Sequence, residues 1–350
     1  SSTSGSSPSA SPTPTGGQQP PDGALDVSDL PTGAPPRLTY VHEDTVHFAG
    51  GETTEVRTRF APRELVELAD GARVWLTIDD RSRSWVEIQD ADGGFHDPVR
   101  SRLGLSVNRP HSIVAWLTPT GQVMIWEGWA SEPRPLGDPI PGNDLRLGPV
   151  TGADGAAPGQ AGPDCEASTC TVVVTVADRA WQPWEARETG SQPLRDGGYL
   201  DIKDVSSTSL AIGWTEIRDF GTCSTLMGGG EFQGFTTCRH TLRSFSPDGR
   251  LILGTPAYPD GAGANQVAMY DLGSEQLFSR GATKRAHPTF HATTWEDDTH
   301  LLVPIHQDGE WSLVRIASDG TMEYAVAPRR EADVLTNPYV LPTGGGLPRG

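Results

Sequence analysis

Apolar residues along this chain come in short runs broken by tight polar turns, and the runs repeat. FSPDGRLILG, from Phe245 to Gly254, and WEDDTHLLVP, from Trp295 to Pro304, share an aromatic residue, a polar turn and an apolar strand in the same order. Further along each unit, MYDLGSEQLF (Met269 to Phe278) and RIASDGTMEY (Arg315 to Tyr324) match as strand, turn, strand. Asp-Gly pairs in these turns supply the positive φ that hairpins need, so each unit predicts four antiparallel strands. An aromatic or aliphatic residue ahead of a polar turn recurs at Leu68, Val107 and Val205, in LADGARVWLT, VNRPHSIVAW and VSSTSLAIGW. The steps are roughly forty to fifty residues, as in propeller-type repeats, but the interval from Val107 to Val205 is about twice that. It must hold one more unit, at about residues 144–192, with CTVVVTV as its clearest strand.

Six units thus span about residues 64–330, and the two ends supply a seventh. LTYVHEDTVHF and TTEVRTRF, residues 38–60, form a hairpin, and DVLTNPYVLP, residues 333–342, is a lone strand. Joining strands from both termini in one sheet shuts a ring and removes free sheet edges, which otherwise invite aggregation. The expected fold is therefore all-β, a seven-bladed β-propeller of four-stranded antiparallel sheets, with six blades as the alternative. A β-solenoid or a pair of β-sandwiches is the competing architecture.

Composition agrees with this reading. Gly (41) and Pro (30) are too frequent for a helical bundle, because each is costly inside a helix. Residues 1–36 are rich in Ser, Thr, Pro, Gly and Gln and contain no Lys or Arg, which predicts a disordered linker ahead of a propeller domain at 37–342 and a flexible tail at 343–350. A chain opening SSTSGSSPSASPTPTGG points to an upstream anchor or signal, and the ring is expected outside the cytoplasm, anchored or secreted. The four cysteines allow three pairings, of which Cys165 with Cys170 and Cys223 with Cys238 close the smallest loops; neither pair has zinc spacing. Disulfides fit an oxidising compartment. A net charge of −18 argues against nucleic acid or anionic lipid as partner.

The FSPDGRLIL run resembles the blade motif of TolB-type and WD-repeat-like bacterial β-propellers, and the overall layout resembles actinobacterial anchored ectodomains of that superfamily. The Gly-His and Trp-Asp signatures of eukaryotic WD repeats are missing. The resemblance implies a rigid ring that presents loops.

Local chemistry is sparse. No GxSxG, GxxxxGK[ST] or GxGxxG motif occurs. HEDTVH (His42 to His47) has an odd spacing that, in one strand, sends the rings to opposite faces. HPTFH (His287 to His291) puts two rings on one face but roughly 13 Å apart by strand rise, too far for one zinc. DADGGFHD (Asp90 to Asp97) resembles a calcium loop but has Gly94 at a ligand position and reads as a plain turn. No metal and no cofactor are expected. The tryptophan pairs of WEGW (Trp126, Trp129) and WQPW (Trp181, Trp184) are expected to pack between sheets, with at most one ring of each pair free to bind.

Three long loops, 219–231, 258–264 and 280–288, are expected side by side on one face. They carry Phe220, Met227, Phe232, Tyr258, Asp260, Lys284, Arg285 and His287, with the first loop braced by Cys223–Cys238. These are the candidate ligand residues; no catalytic residue is assigned. The expectation is a monomeric binding or scaffold module for a protein, peptide or cell-wall glycan. The alternative is a propeller glycan hydrolase or lyase with paired carboxylates in the channel.

Overall fold

The computed structural model describes residues 22–344 apart from 103, 129, 131, 152–169, 179–180, 195–197, 219–220, 229–233, 259–265, 274–275, 284–285, 290–291 and 332–335. After β1 (Asp22–Leu25), blade 1 takes β2 (Tyr40–His42), β3 (Thr45–His47) and β4 (Thr53–Glu55). Blade 2 holds β5 (Ala61–Glu67), β6 (Arg73–Ile78), β7 (Ser84–Gln89) and β8 (Val99–Ser101); blade 3 holds β9 (Ser106–Val107), β10 (Ile113–Leu117), β11 (Val123–Glu127) and β12 (Arg134–Leu136). Blade 4 holds β13 (Leu145–Thr151), β14 (Thr171–Val176), β15 (Gln182–Arg187) and β16 (Gly190–Pro193); blade 5 holds β17 (Asp201–Val205), β18 (Ala211–Arg218), β19 (Gly221–Met227) and β20 (Thr236–Thr237). Blade 6 holds β21 (His240–Phe245), β22 (Leu251–Pro256), β23 (Gln266–Asp271) and β24 (Gln276–Ala282). In blade 7 the inner strand is broken into β25 (Ala286–Pro288) and β26 (Thr294–Trp295), both paired with β27 (His300–Gln307), and β28 (Glu310–Ala317) and β29 (Met322–Arg330) follow. Last, β30 (Tyr339–Val340) returns to blade 1 and pairs with β2 as its innermost strand.

The molecule is thus a seven-bladed β-propeller of antiparallel sheets, shut by strands from both ends of the chain, and the fourth blade occupies the interval left open between Val107 and Val205. Leu68, Val107, Val205, Phe245 and Trp295 each stand just ahead of the turn from first to second strand. In four blades that turn has one pattern, in which the amides of Gly71, His111, Ser209 and Gly249 donate to the carbonyls of Leu68, Asn108, Ser206 and Ser246 at 2.8–3.0 Å. The SPDG motif is one solution to it. Ser246 Oγ accepts from Leu251 N at 3.0 Å and donates to Asp248 at 2.7 Å, and Gly249 takes the positive φ of +76°.

Both faces of each sheet meet a neighbouring blade, so the middle strands are apolar throughout rather than alternating. IVAWL of β10 is fully buried, and TVVVTV of β14 nearly so. Apolar clusters fill six of the seven seams, such as Trp75 with Val41 between blades 1 and 2 and Trp116 with Leu76 between blades 2 and 3. The seam between blades 4 and 5 has no such cluster among the described residues.

The leader differs from the expected linker from Asp22 onward. β1 pairs in parallel with β24, Leu25 opposite Ala282, and adds a fifth strand to blade 6. Leu25, Val27 and Leu30 then join the apolar cluster between blades 6 and 7 beside Phe278, Val314 and Ile316. Those three leader side chains supply the burial that the surrounding polar composition conceals. Beyond them, Gly33 and Tyr324 exchange backbone hydrogen bonds with Tyr324 and Pro31 at 2.9 Å. At the other end Thr343 N donates to Leu65 O at 2.7 Å and Gly344 lies against Val107 and His111, so the first two residues of the expected tail are held against the ring.

Leu25→Ala is expected to cost about 2–5 kcal/mol, the range for emptying a fully buried leucine site, in urea unfolding of the whole chain. A freely moving leader would leave the midpoint unchanged.

Candidate functional site

The inner strands enclose a cavity of about 290 Å³ whose walls include Leu105, Leu147, Phe245 and Trp295 together with Arg109, Lys203 and Asp204. The ring has two faces, one carrying the turns after each inner strand and the other the connections between blades. Arg109 lies across the turn face. It leaves the turn of blade 3, passes blade 4 and donates to Val205 O and Ser246 O, each at 2.9 Å, on blades 5 and 6. It also pairs with Asp204 at 3.0 Å, and its guanidinium stands 5.4 Å from the Phe245 ring centre. Burial pushes the Asp204 carboxyl above its ordinary value, with Arg109 and the amides of Phe245 and Val205 pulling the other way. Asp204 is the one carboxylate among the described residues that line this cavity, and it is already engaged. Glycoside hydrolysis requires two carboxylates, and among the described lining residues Asp204 stands without a second.

The connection face is different where blades 4, 5 and 6 meet. Ala177 N donates to Asp144 O at 2.8 Å, and the Asp178 carboxylate accepts from Asn143 N and Asp144 N at 3.1 and 2.9 Å. Those two amides hold the Asp178 carboxyl below the usual range and fix the turn that carries Trp181. Trp181 packs against Trp214 with ring centres 5.2 Å apart, Arg146 stands over Trp181 at 4.2 Å, and Lys203 Nζ lies 4.1 Å from the Trp214 ring centre. Lys203 forms an ion pair with the buried carboxylate of Asp201, which also accepts from Thr175 Oγ1 at 2.7 Å. Arg243 donates from Nε to Thr255 Oγ1 at 3.0 Å.

Lys203 and Arg243 share a backbone device. The ladder slips between Ile202 and Asp204 in β17 and between Leu242 and Ser244 in β21, so each cation is the extra residue of a β-bulge. The same irregularity falls at Arg63 in β5. Bulges re-aim side chains, here at the innermost edge of the sheets.

The expected ligand loops are not one cluster. Residues 221–227, placed in a loop, form β19, whose small polar residues (GTCSTLM) mask its alternation. Met227 consequently ends on the turn face, while Tyr258, half exposed, sits on the connection face between β22 and β23. His287 belongs to β25 and pairs in register with His306. Phe220, Phe232, Asp260, Lys284 and Arg285 lie outside the described residues. The Cys223–Cys238 disulfide is formed and ties β19 to the connection ahead of β21; Cys170 is disulfide-bonded, and Cys165 lies outside the described residues.

His42 and His47 do not point to opposite faces. Glu43 and Asp44 make a hairpin turn, Tyr40 pairs with His47, and the two imidazoles come within 6.4 Å on one side of blade 1. His42 is engaged by Glu331 at 3.1 Å. The Asp90–Asp97 segment is a turn in which Gly93 N donates to Asp90 O at 2.9 Å and His96 meets the Asp90 carboxylate at 2.8 Å. Trp126 is buried and donates to Ala130 O at 2.9 Å; Trp181 and Trp184 are both partly buried, Trp184 packing on the blade 3–4 cluster and Trp181 on Trp214. Trp129 and His291 are outside the described residues. Arg109, Arg146, Lys203 and Arg243 escaped the sequence reading. A signal existed for two of them, since Lys203 and Arg243 each stand two places before the repeat marker, at Val205 and Phe245.

No protein-family model and no curated protein matches the chain. Solved structures do match. The β-propeller domain of Cps50 (Swd1) from Myceliophteria thermophila aligns at TM-score 0.50 and 8% identity, over 79% of this chain and 88% of that one. YCF48 bound to a D1 peptide aligns at 0.48 and 11%, over 89% and 90%. The β-propeller domain of the Trilobed protease from Pyrococcus furiosus aligns at 0.46 and 11%, over 78% and 84%. At these identities the likeness is one of fold, and the chain is a seven-bladed β-propeller.

Removing Arg109 strands the Asp204 carboxylate. Arg109→Met is expected to cost about 1–3 kcal/mol, the scale for leaving a partly buried charged group without its partner, and Arg109→Met with Asp204→Asn to recover most of it. In the single variant the Asp204 carboxyl rises further above its ordinary 3.8, so the native state binds more protons than the unfolded state. Its deficit should then shrink as pH falls from neutral toward that value, read from urea midpoints at several pH values. A deficit independent of pH would show that Asp204 is not the stranded group.

Proposed function

We propose that this chain is an extracytoplasmic binding or scaffold propeller that engages a protein or peptide on its connection face, at blades 4 to 6. The observation that carries the reading is the blade 4–5 seam. Where the other seams are filled with aliphatic and aromatic side chains, this one holds Thr175, Asp201, Lys203 and Trp214, with Trp181 and Arg146 reaching the surface above them. A rigid scaffold that departs from apolar packing at one place commonly does so for function. Aromatic and Arg side chains are also the residue types enriched in binding hot spots. The Cys223–Cys238 bond supports an oxidising compartment, and the TolB-like blade motif at Phe245 supports an anchored ectodomain. Peptide is favoured over glycan because this surface places a cation over each ring, Arg146 over Trp181 and Lys203 over Trp214, rather than presenting bare stacking platforms.

Selection of a displayed random peptide library on the intact chain tests this. Enriched peptides should lose about tenfold or more in affinity on Trp181→Ala, the loss of one aromatic anchor. They should bind unchanged to Arg250→Gln, which alters an exposed residue on the turn face. Peptides insensitive to Trp181→Ala, or a library that yields none, would overturn the reading. Release of reducing ends from cell-wall glycan by the purified chain would favour the enzyme alternative.

A further inference from the structure

We propose that Arg146, Lys203 and Arg243, presented by the inner strands of three consecutive blades, form a receptor for a single oxyanion carried by the ligand. The proposal rests on the connection face being the binding face, and it names the chemistry recognised there.

Charge at these three blades is unbalanced. The buried carboxylate of Asp201 attracts both Lys203 and Arg243, and that group is committed, to Lys203 and to Thr175 Oγ1. Asp144, the other acid in contact, is exposed and meets Arg146 at 3.4 Å, a weak solvated pair. Among the described residues no carboxylate pairs with Arg243, whose hydrogen bond runs from Nε to Thr255 Oγ1 and leaves the planar end of the guanidinium for another acceptor. The cost of this arrangement registers on the groups themselves. Burial pushes the Lys203 ammonium below its ordinary value, and Arg243 and Arg146 push the same way against the pull of Asp201. Burial likewise lowers the Arg243 guanidinium. The chain has 45 acidic residues and a net charge of −18, yet among the described residues these three cations are paired with only two carboxylates, Asp201 and the exposed Asp144.

A second observation points the same way. Trp214 Nε1 is a buried donor with no partner, in the side chain that Lys203 covers. Buried donors are mostly satisfied in folded proteins, and of the unpartnered indole N–H groups among the described residues, at Trp75, Trp116, Trp214 and Trp311, that of Trp214 alone belongs to a ring with a cation over it. Three cations on neighbouring inner strands fit the several lone pairs of a carboxylate or phosphate, and the guanidinium of Arg243 suits bidentate pairing. The two bulges explain how the cations reach the same place, because at each the backbone gains one residue on the channel edge of its sheet.

Calorimetric titration of the intact chain with inorganic sulfate, inorganic phosphate, glutarate and one library-selected peptide, made with a free and an amidated C-terminus, tests the site. Wild type should bind at least one of these anions. Lys203→Met and Arg243→Met should each weaken it about tenfold or more, the scale of one charged hydrogen bond. Lys203→Arg should retain binding and Arg250→Met should leave it unchanged. Preference for phosphate over glutarate and for neither peptide form identifies a phosphate source; a loss on amidation identifies a terminal carboxylate. Thermal unfolding of each variant without anion separates the outcomes, because a merely structural cluster predicts lowered midpoints and unaltered anion affinity. No binding of any anion to wild type at millimolar concentration, or equal affinity in wild type and both methionine variants, overturns the proposal. Selected peptides that depend on Trp181 but bind both methionine variants unchanged would overturn the oxyanion site alone. Anion binding by a chain that enriches no peptide would leave the site and remove the peptide reading.

Discussion

A blade has two faces and no core of its own, so every sheet here depends on the two beside it and the ring depends on being shut. Closure rests on a ladder only two residues long, Val41 opposite Val340 and His42 opposite Tyr339. So short a pairing could not hold the ring by hydrogen bonds alone. It is held by packing. Tyr339 and Leu341 enter the apolar cluster with Leu302 and Trp311 of blade 7, and His42 stacks on Tyr339 at 4.9 Å. The chain then continues onto blade 2, where Pro342 bridges to Leu65, while Thr294 Oγ1 of blade 7 donates to Pro342 O at 2.8 Å. A few residues near the C-terminus therefore clip blades 7, 1 and 2 together.

The leader makes a second clip by a different means. Arg315 is 4% exposed and Glu296 is fully buried, and the guanidinium joins Glu296, Glu323 and the carbonyls of Ala34 and Pro35. Isolated, such a buried ion pair adds little stability because desolvation opposes it; here all three guanidinium nitrogens have acceptors and the leader backbone is among them. The pair thus fixes where residues 34–37 run before entering β2, with Arg37 N donating to Glu296 Oε1 at 2.7 Å. Upstream, β1 covers the outer edge of β24, and the bridge from Thr32 to Tyr324 protects part of the edge of β29. Two of the seven outer edges are blunted in this way, one mode by which sheet proteins avoid edge-to-edge association.

What the sequence revealed followed from local rules, and what it hid followed from long-range ones. Turn chemistry is local, so Leu68, Val107, Val205, Phe245 and Trp295 mark five inner-strand ends, and the seventh blade could be assembled from leftovers at both termini. Composition is local too, and it failed for residues 22–36. Three apolar side chains in a Ser- and Pro-rich tract look negligible until a gap between blades 6 and 7 receives them. GTCSTLM failed for the converse reason, being a strand built of residues that also suit loops. The histidines of HEDTVH were misplaced by treating a hairpin as one strand, since a turn at Glu43 converts an odd spacing into a shared face. The cation cluster has no local signature beyond Lys203 and Arg243 at matched repeat positions, because Arg146 joins them only through the ring.

That origin bears on how the polar seam is tolerated. Blades 4 and 5 forgo an apolar cluster, yet neither can separate from the other without disturbing the seams they make with blades 3 and 6, where Val172 and Val174 share a cluster with Ile125 and Leu136, and Leu226 one with Leu242. Ring geometry spreads the cost of buried charge over neighbouring seams that are well packed. It also sets the spacing of Arg146, Lys203 and Arg243, which sit on inner strands and at bulges rather than on loops. Groups held by strands lose little freedom when a ligand arrives, and that preorganisation favours affinity more than added contact area does. Loops on the connection face can then vary in length and sequence while the charged centre beneath them keeps its geometry.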